Sequence, residues 1–191
     1  MRRTILQMVE YAILSSVALG PKSGYDVAGW FERVASHFCS AGYGRVYPAL
    51  GRFEEEGLVV HETLPSERGP ERKVYSITGK GKEALLAWSG EPASEPKTRD
   101  EQLVKALSYG FLPPETVLEL LRVARELHAE KLAYFRRLER GLEKQRADGG
   151  ISDDAYIGTR LTLMRGIGVK ESYIKWCEEA STLVTSREPL R

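Results

Sequence analysis

The segment from Gly42 to Glu62, GYGRVYPALGRFEEEGLVVHE, carries a helix that turns abruptly into a β-rich run. Val46, Leu50 and Phe53 share one face at helical spacing, which assigns them to a core, while Gly44, Arg45, Pro48 and Arg52 fall on the opposite side. That outer face has small residues at its N-terminal end, hydroxyls from Tyr43 and Tyr47, and positive charge from Arg45 and Arg52. Pro48 fits such a helix close to its start, where a missing amide hydrogen costs least. Glu54, Glu55 and Glu56 come later, away from any phosphate met by the first turns. A helix of this polarity suits recognition of a DNA major groove through its N-terminal end, with Arg45 the best candidate for a base-edge contact. Gly57 ends it, and Leu58 to Leu64 reads as a strand.

Upstream, the opening MRRTILQMVEYAILSSVALG has the two arginines and apolar stretch of a secretory leader, but Gln7 and Glu10 interrupt it. Ile5, Val9, Ala12, Ile13 and Val17 recur instead at helical spacing, which predicts a core helix from about Thr4 to Leu19, stopped by Gly20-Pro21. Ser23 is a good N-cap for a second helix, with Asp26 in its first turn and an apolar stripe of Val27, Trp30, Phe31 and Val34. SHFCSAG, ending at Gly42, connects it to the quoted helix.

Downstream, Lys73 to Thr78 forms a second strand, and the PSERGPER segment between the strands supplies a turn with a basic tip, so Arg68, Arg72 and Lys73 are placed to meet backbone phosphate or minor groove. A fourth helix runs from about Lys80 to Trp88. Helix, helix, helix, basic hairpin, helix is the order of a winged helix-turn-helix, which residues 1–90 are expected to form.

Residues 91–98, polar and proline-bearing, read as a linker, and 99–188 as helical throughout. A short helix from about Arg99 to Tyr109 precedes Pro113-Pro114, where a long helix begins and continues to about Arg146; a last helix spans about Asp154 to Leu183. In the long helix Val117, Leu120, Ala124, Leu127, Tyr134, Leu138 and Leu142 approach heptad spacing, interrupted by Lys131. One helix cannot bury that stripe alone. Leu120, Leu127, Tyr134, Leu138, Leu142 and, on the last helix, Trp176 are therefore the candidate dimerisation residues. Gly166 and Gly168 weaken the last helix by roughly 1 kcal/mol each relative to alanine. The expected fold is mainly α with a small β-hairpin wing: an N-terminal winged helix-turn-helix and a C-terminal α-helical dimerisation domain.

The 28 basic and 27 acidic side chains nearly cancel, so any attraction to nucleic acid must be local. Cys39 and Cys177 lie too far apart to suggest a disulfide framework or a zinc cluster, which fits a reducing cytoplasm, and no apolar window is long enough to span a bilayer. His37, His61 and His128 are isolated, and no nucleophile elbow, zinc-protease motif or phosphate-binding glycine loop appears, so neither an enzyme nor a cofactor is expected. Asp153 and Asp154 read as caps of the last helix. Trp88, Tyr109, Phe111, Tyr134, Phe135, Tyr173 and Trp176 suit either interhelical core or the lining of an effector cavity.

RVYPALGRFEEEGLV and RGPERKVYSITGKGKEAL together resemble the signature of the PadR family of transcriptional regulators: the Y-P-x-L motif, the E-x-x-G-L turn into the wing and the G-P-x-R-K-x-Y-x-I-T strand. ALGPKSGYDVA, which includes Lys22, resembles the family's entry to its second helix, and TRDEQLVKALSYG with the long helices resembles its C-terminal region. Gly42 departs from the family's serine cap, Gly51 from a basic or polar residue, and Phe53 from a leucine. The resemblance implies a homodimer on a palindromic site in double-stranded DNA, acting as a repressor released by a small-molecule effector. By position it implies DNA contact for Ser23, Tyr25, Tyr47, Pro48, Arg72 and Lys73. The alternative reading is a protein-interaction module that uses the same winged helix and helical arm.

Overall fold

The computed structural model describes residues 7–34, 43–65, 71–93 and 100–186, apart from the side chains of Arg33 and Tyr43. The expected connector SHFCSAG, the basic tip with Arg68, and most of the 91–98 segment lie outside the described residues. The chain divides into two compact units, Met1–Glu95 and Pro96–Arg191.

The first unit runs α1 (Met8–Ala18), β1 (Lys22–Ser23), α2 (Gly24–Val34), α3 (Tyr43–Glu55), β2 (Val59–Leu64), β3 (Arg72–Ile77) and α4 (Gly79–Ser89). The apolar spacing read from the sequence closes one core: Ile13, Leu14 and Val17 of α1, Val27 and Phe31 of α2, and Val46, Leu50 and Phe53 of α3 are buried together. Tyr11 of α1 stacks on Trp88 of α4 with centroids 4.2 Å apart, which fastens the last helix of the unit to the first.

The wing is a three-stranded sheet, ordered β1-β3-β2, where a two-stranded hairpin was expected. β2 and β3 pair antiparallel from Val59 opposite Ile77 to Leu64 opposite Arg72. The addition is β1, whose Lys22 faces Tyr75 and whose Ser23 faces Val74. Two residues are too few to show a period-two pattern, so nothing in the sequence signals that strand.

Gly57 makes the turn from α3 into β2 by adopting φ +68°, a left-handed conformation that favours glycine. The Leu58 amide donates to the Phe53 carbonyl at 2.7 Å and the Gly57 amide to the Glu54 carbonyl at 2.9 Å, the paired bonds of a Schellman ending. Thr78 ties the other end of the hairpin down: its Oγ1 accepts from the Gly81 amide at 3.0 Å and donates to the Gly57 carbonyl at 2.8 Å. Gly81 sits so close to the Leu58 carbonyl oxygen that a Cβ there would collide with it. Pro48 corrects the sequence reading, because α3 begins at Tyr43 and the proline therefore lies inside the helix. It removes the amide that would bond the Gly44 carbonyl, leaving that acceptor at the outer face.

The second unit holds α5 (Glu101–Ala106), a 3-10 turn (Tyr109–Phe111), α6 (Pro114–Ala147) and α7 (Asp153–Thr185). α6 and α7 form a long antiparallel hairpin cored by Phe135, Leu142, Leu163 and Ile167. Gly166 contributes to that core, since a Cβ there would stand 3.2 Å from the Phe135 ring. Gly168 meets nothing within 4 Å, and the structure offers no packing return for its helix cost. Ser152, rather than Asp153 or Asp154, caps α7 by accepting from the Ala155 amide at 3.3 Å; the two aspartates occupy the first turn.

The heptad phase on α6 needs correction. Its buried residues are Val117, Leu121, Phe135 and Leu142, and the last three keep a seven-residue spacing one position on from Leu120, Leu127 and Tyr134. Leu142 belongs to the intrachain core, with Tyr134 and Leu138 packed against the same cluster. Trp176 is half-buried with its ring edge-on to Tyr173. Leu120 and Leu127 remain exposed.

Candidate nucleic-acid interface

α3 presents the face the sequence predicts. Gly44, Arg45, Tyr47 and Pro48 are exposed, while Val46, Ala49 and Leu50 are buried against α1 and α2. Among the described residues no carboxylate forms an ion pair with Arg45, so its guanidinium keeps its donors for an outside partner. Tyr47 is 53% exposed, and its ring crosses the start of α2: a Cβ at Gly24 would stand 2.5 Å from its Cε1. Gly24 is therefore the residue that lets α2 and α3 approach. Sequence reasoning missed it because only the fold brings the two positions together.

Arg52 does not stand free as the outer-face reading had it. Its Nη2 pairs with Oε1 of Glu10 on α1, an intrachain contact that links the two helices. With the arginine half-exposed, such a pair stabilises by at most about 1 kcal/mol. Glu54 is also engaged, through Nδ1 of His61 on β2, whose ring lies 5.8 Å from that of Tyr75. The Tyr75 hydroxyl is pushed above its ordinary range by burial first and then by Glu54 and Tyr47.

The entry to α2 is a reciprocal cap. Ser23 Oγ donates to Asp26 Oδ2 at 2.6 Å and accepts from the Asp26 amide at 3.2 Å, and the Ser23 amide donates to Asp26 Oδ2 at 3.2 Å. Ser23 is only 5% exposed, with its hydroxyl engaged in the cap. Lys22 is half-buried and its Nζ donates to the Gly20 carbonyl at 3.3 Å. Burial lowers the Lys22 pKa, opposed by Asp26. The Asp26 carboxyl is held below its usual range by the Ser23 hydroxyl first, with Arg72 and Lys22 adding to the effect. Tyr25, one residue before Asp26, is 71% exposed.

On the wing Arg72 and Lys73 are both exposed. Arg68 and the Tyr43 side chain lie outside the described residues. The structure therefore brings Tyr25, Arg45, Tyr47, Arg72 and Lys73 to exposed positions of one unit, while Ser23 is buried, Lys22 half-buried and Arg52 paired with Glu10. Hydroxyls, guanidinia and an ammonium in that arrangement can donate hydrogen bonds to phosphate and base edges. Among the described residues no group of three or more His, Cys, Asp or Glu could hold a metal ion, and no helix is long and apolar enough to cross a membrane.

Comparison with known proteins gives two family matches: residues 13–87 match the Transcriptional regulator PadR-like family, and residues 98–185 match Virulence activator alpha C-term. A probable transcriptional regulator of Mycobacterium tuberculosis is 30% identical over 184 residues, which covers 90% of this chain and 94% of the relative. The negative transcriptional regulator PadR of Bacillus subtilis is 25% identical over 180 residues, covering 94% of this chain and 98% of the relative. The crystal structure of that protein in complex with operator DNA superposes with a TM-score of 0.79 at 26% identity, over 93% of this chain and 99% of the other.

Proposed function

The chain belongs to the PadR-like family of transcriptional regulators, and from that premise we propose how its own residues perform the regulation. It is a regulator and not an enzyme. The first turns of α3 enter the major groove, with Arg45 reading a base edge and Tyr47 and the Gly44–Pro48 turn permitting close approach. Tyr25, Arg72 and Lys73 hold the backbone on either side. The observation that carries this reading is the division of α3 into a face buried to Phe53 and an outer face on which Arg45 has no intrachain carboxylate among the described residues.

The regulator is cytoplasmic and works as a homodimer on a palindromic operator, repressing until a small-molecule effector releases it. Support for dimerisation comes from apolar side chains that one copy leaves open: Leu120, Val123 and Leu127 on α6, and Ile157, Leu161 and Met164 on α7. Ile157, Leu161 and Met164 escaped sequence reasoning, which took only Trp176 from the last helix. Support for repression comes from the description of the Bacillus subtilis relative as a negative regulator.

Fluorescence anisotropy against the duplex upstream of the gene and a shuffled control, titrated across salt, tests the reading. Selective binding whose affinity falls steeply with salt is expected. Equal binding to both duplexes, followed by failure to select any sequence from random duplexes, would favour the protein-interaction module.

A further inference from the structure

Two tethers hold α3, one on each edge of its buried stripe. Helical periodicity sets Arg45 and Arg52 along one edge of Val46, Leu50 and Phe53, and sets Tyr47 and Glu54, two turns apart, along the other. On the first edge Arg52 pairs with Glu10 of α1, and Glu10 is itself fixed by accepting from the Gln7 amide at 2.8 Å. On the second edge Glu54 pairs with His61 of β2. One tether thus ties the helix to α1 and the other ties it to the wing. Tethers on opposite edges of a helix oppose its rotation about its own axis, and that rotation decides where Arg45 points.

The two tethers differ in chemistry. Guanidinium and carboxylate stay charged through the neutral range, whereas an imidazole changes charge within it. His61 lies opposite Tyr75 in the ladder, so the two side chains share one face of the sheet, with ring centroids 5.8 Å apart. Tyr75 belongs to the core beneath α3, and its hydroxyl feels both Glu54 and Tyr47, the two ends of that edge of the helix. From α3 and β3, the elements packed on β2, the titratable and charged groups on this face are Glu54, Tyr47, Tyr75 and Lys73, and Lys73, opposite Thr63, is exposed. Lys22, opposite Tyr75 on the far strand, turns back to the Gly20 carbonyl. Glu54 is the carboxylate among these, and it is the one His61 meets. With the imidazole 22% exposed, solvent screens this pair less than the open pairs along α6.

We propose that His61 is a positioning residue for sequence reading: with its imidazole protonated, the pair with Glu54 holds α3 against the wing in the rotation that aims Arg45 at a base edge. In this role His61 acts through Glu54 and touches no DNA. The inference rests on the operator-binding reading above and adds to it a residue outside the exposed basic positions. Loss of the proton leaves a neutral hydrogen bond, roughly half as strong as a charge-assisted one, and α3 then relies on its tether to Glu10. Long basic side chains follow a phosphate through a small rotation, whereas a bidentate contact with a base edge is lost. The consequence therefore falls on selectivity more than on total affinity.

Anisotropy of the full-length protein on its preferred duplex and on the shuffled control, at one salt concentration and from about pH 6 to about pH 8, tests the role. The ratio of the two affinities is the readout, because a general gain of positive charge at low pH strengthens both duplexes alike. That ratio is expected to fall about three- to fivefold as the pH rises, the range set by a partly exposed ion pair. In His61→Gln and in Glu54→Gln it is expected to be low at every pH and level. A histidine that only supports the fold would leave the wild-type ratio level and lower both affinities in the variant. A level wild-type ratio, which needs no variant to fold, or a slope that persists in both variants, would overturn the role. A preference for the operator that does not change with pH removes this role and keeps the function, whereas binding without preference at every pH removes the operator-binding reading itself.

Discussion

Arg45 and Arg72 carry the same charge in different settings, and the difference predicts different phenotypes. Arg45 projects from the entering end of α3, whereas Arg72 opens β3 opposite Leu64, at the far end of the hairpin from Gly57, and its charge reaches Asp26. Arg45→Ala should cost about 1–3 kcal/mol at the operator and flatten preference at one base position. Arg72→Ala should weaken all sequences alike and lower the slope of log affinity against log salt by about 1. Anisotropy on an operator and its single-base variants distinguishes them, and a uniform loss from both substitutions would remove Arg45 from base reading. At His128 the chemistry is protonation. Burial and Lys170 hold its imidazole below the ordinary value of about 6.5, against a smaller opposing pull from Asp100, with Lys131 and Tyr173 also facing it. The unfolded chain therefore takes up the proton first, so stability is level above about pH 6.5 and falls as the pH drops toward the folded value. Urea midpoints at neutral and mildly acid pH should differ more for the wild type than for His128→Gln; equal differences would show that this imidazole does not couple to folding.

At the scale of elements, α3 and α6 show what a sequence reveals and where it stops. α3 was legible because Val46, Leu50 and Phe53 all point into one small core, so period and burial agree. The Gly57 turn was equally legible, since only glycine easily takes that backbone conformation. α6 was legible as a helix and misread as a surface. Apolar residues on two faces satisfy more than one period, and only the position of α7 decides which are covered. The same limit hid Arg52's engagement with Glu10 and Tyr47's approach to Gly24, both of which join segments distant in sequence. The corrected burial makes a prediction: Leu142→Ala should destabilise the helical unit by about 2–5 kcal/mol, as deletion of a fully packed leucine does. Leu120→Ala, at an exposed position, should leave the stability of a single copy nearly unchanged. Chemical denaturation of both variants at low protein concentration checks the contrast.

For the whole molecule, a net charge of +1 gives little long-range pull toward DNA, so affinity has to come from a few local contacts used twice. That makes dimerisation part of recognition. On the hairpin, Leu120, Val123 and Leu127 lie toward the end where α6 begins and α7 finishes, and Ile157, Leu161 and Met164 lie toward the turn. A second copy related by a two-fold axis can lay one stripe against the other in both directions at once, which is how a self-complementary interface forms. Leu161, 60% exposed and at the middle of its stripe, is the sensitive position. Leu161→Asp would place a carboxylate in that contact without touching the Phe135–Ile167 core. The variant should scatter light as a monomer at micromolar concentration, keep its helical content, and bind a full palindrome about 100-fold or more weakly, while its affinity for a half-site stays the same, because the loss is one of linkage between sites. An unchanged dimer with unchanged affinity for the palindrome would show that this apolar face serves another purpose and that the two recognition helices are joined elsewhere.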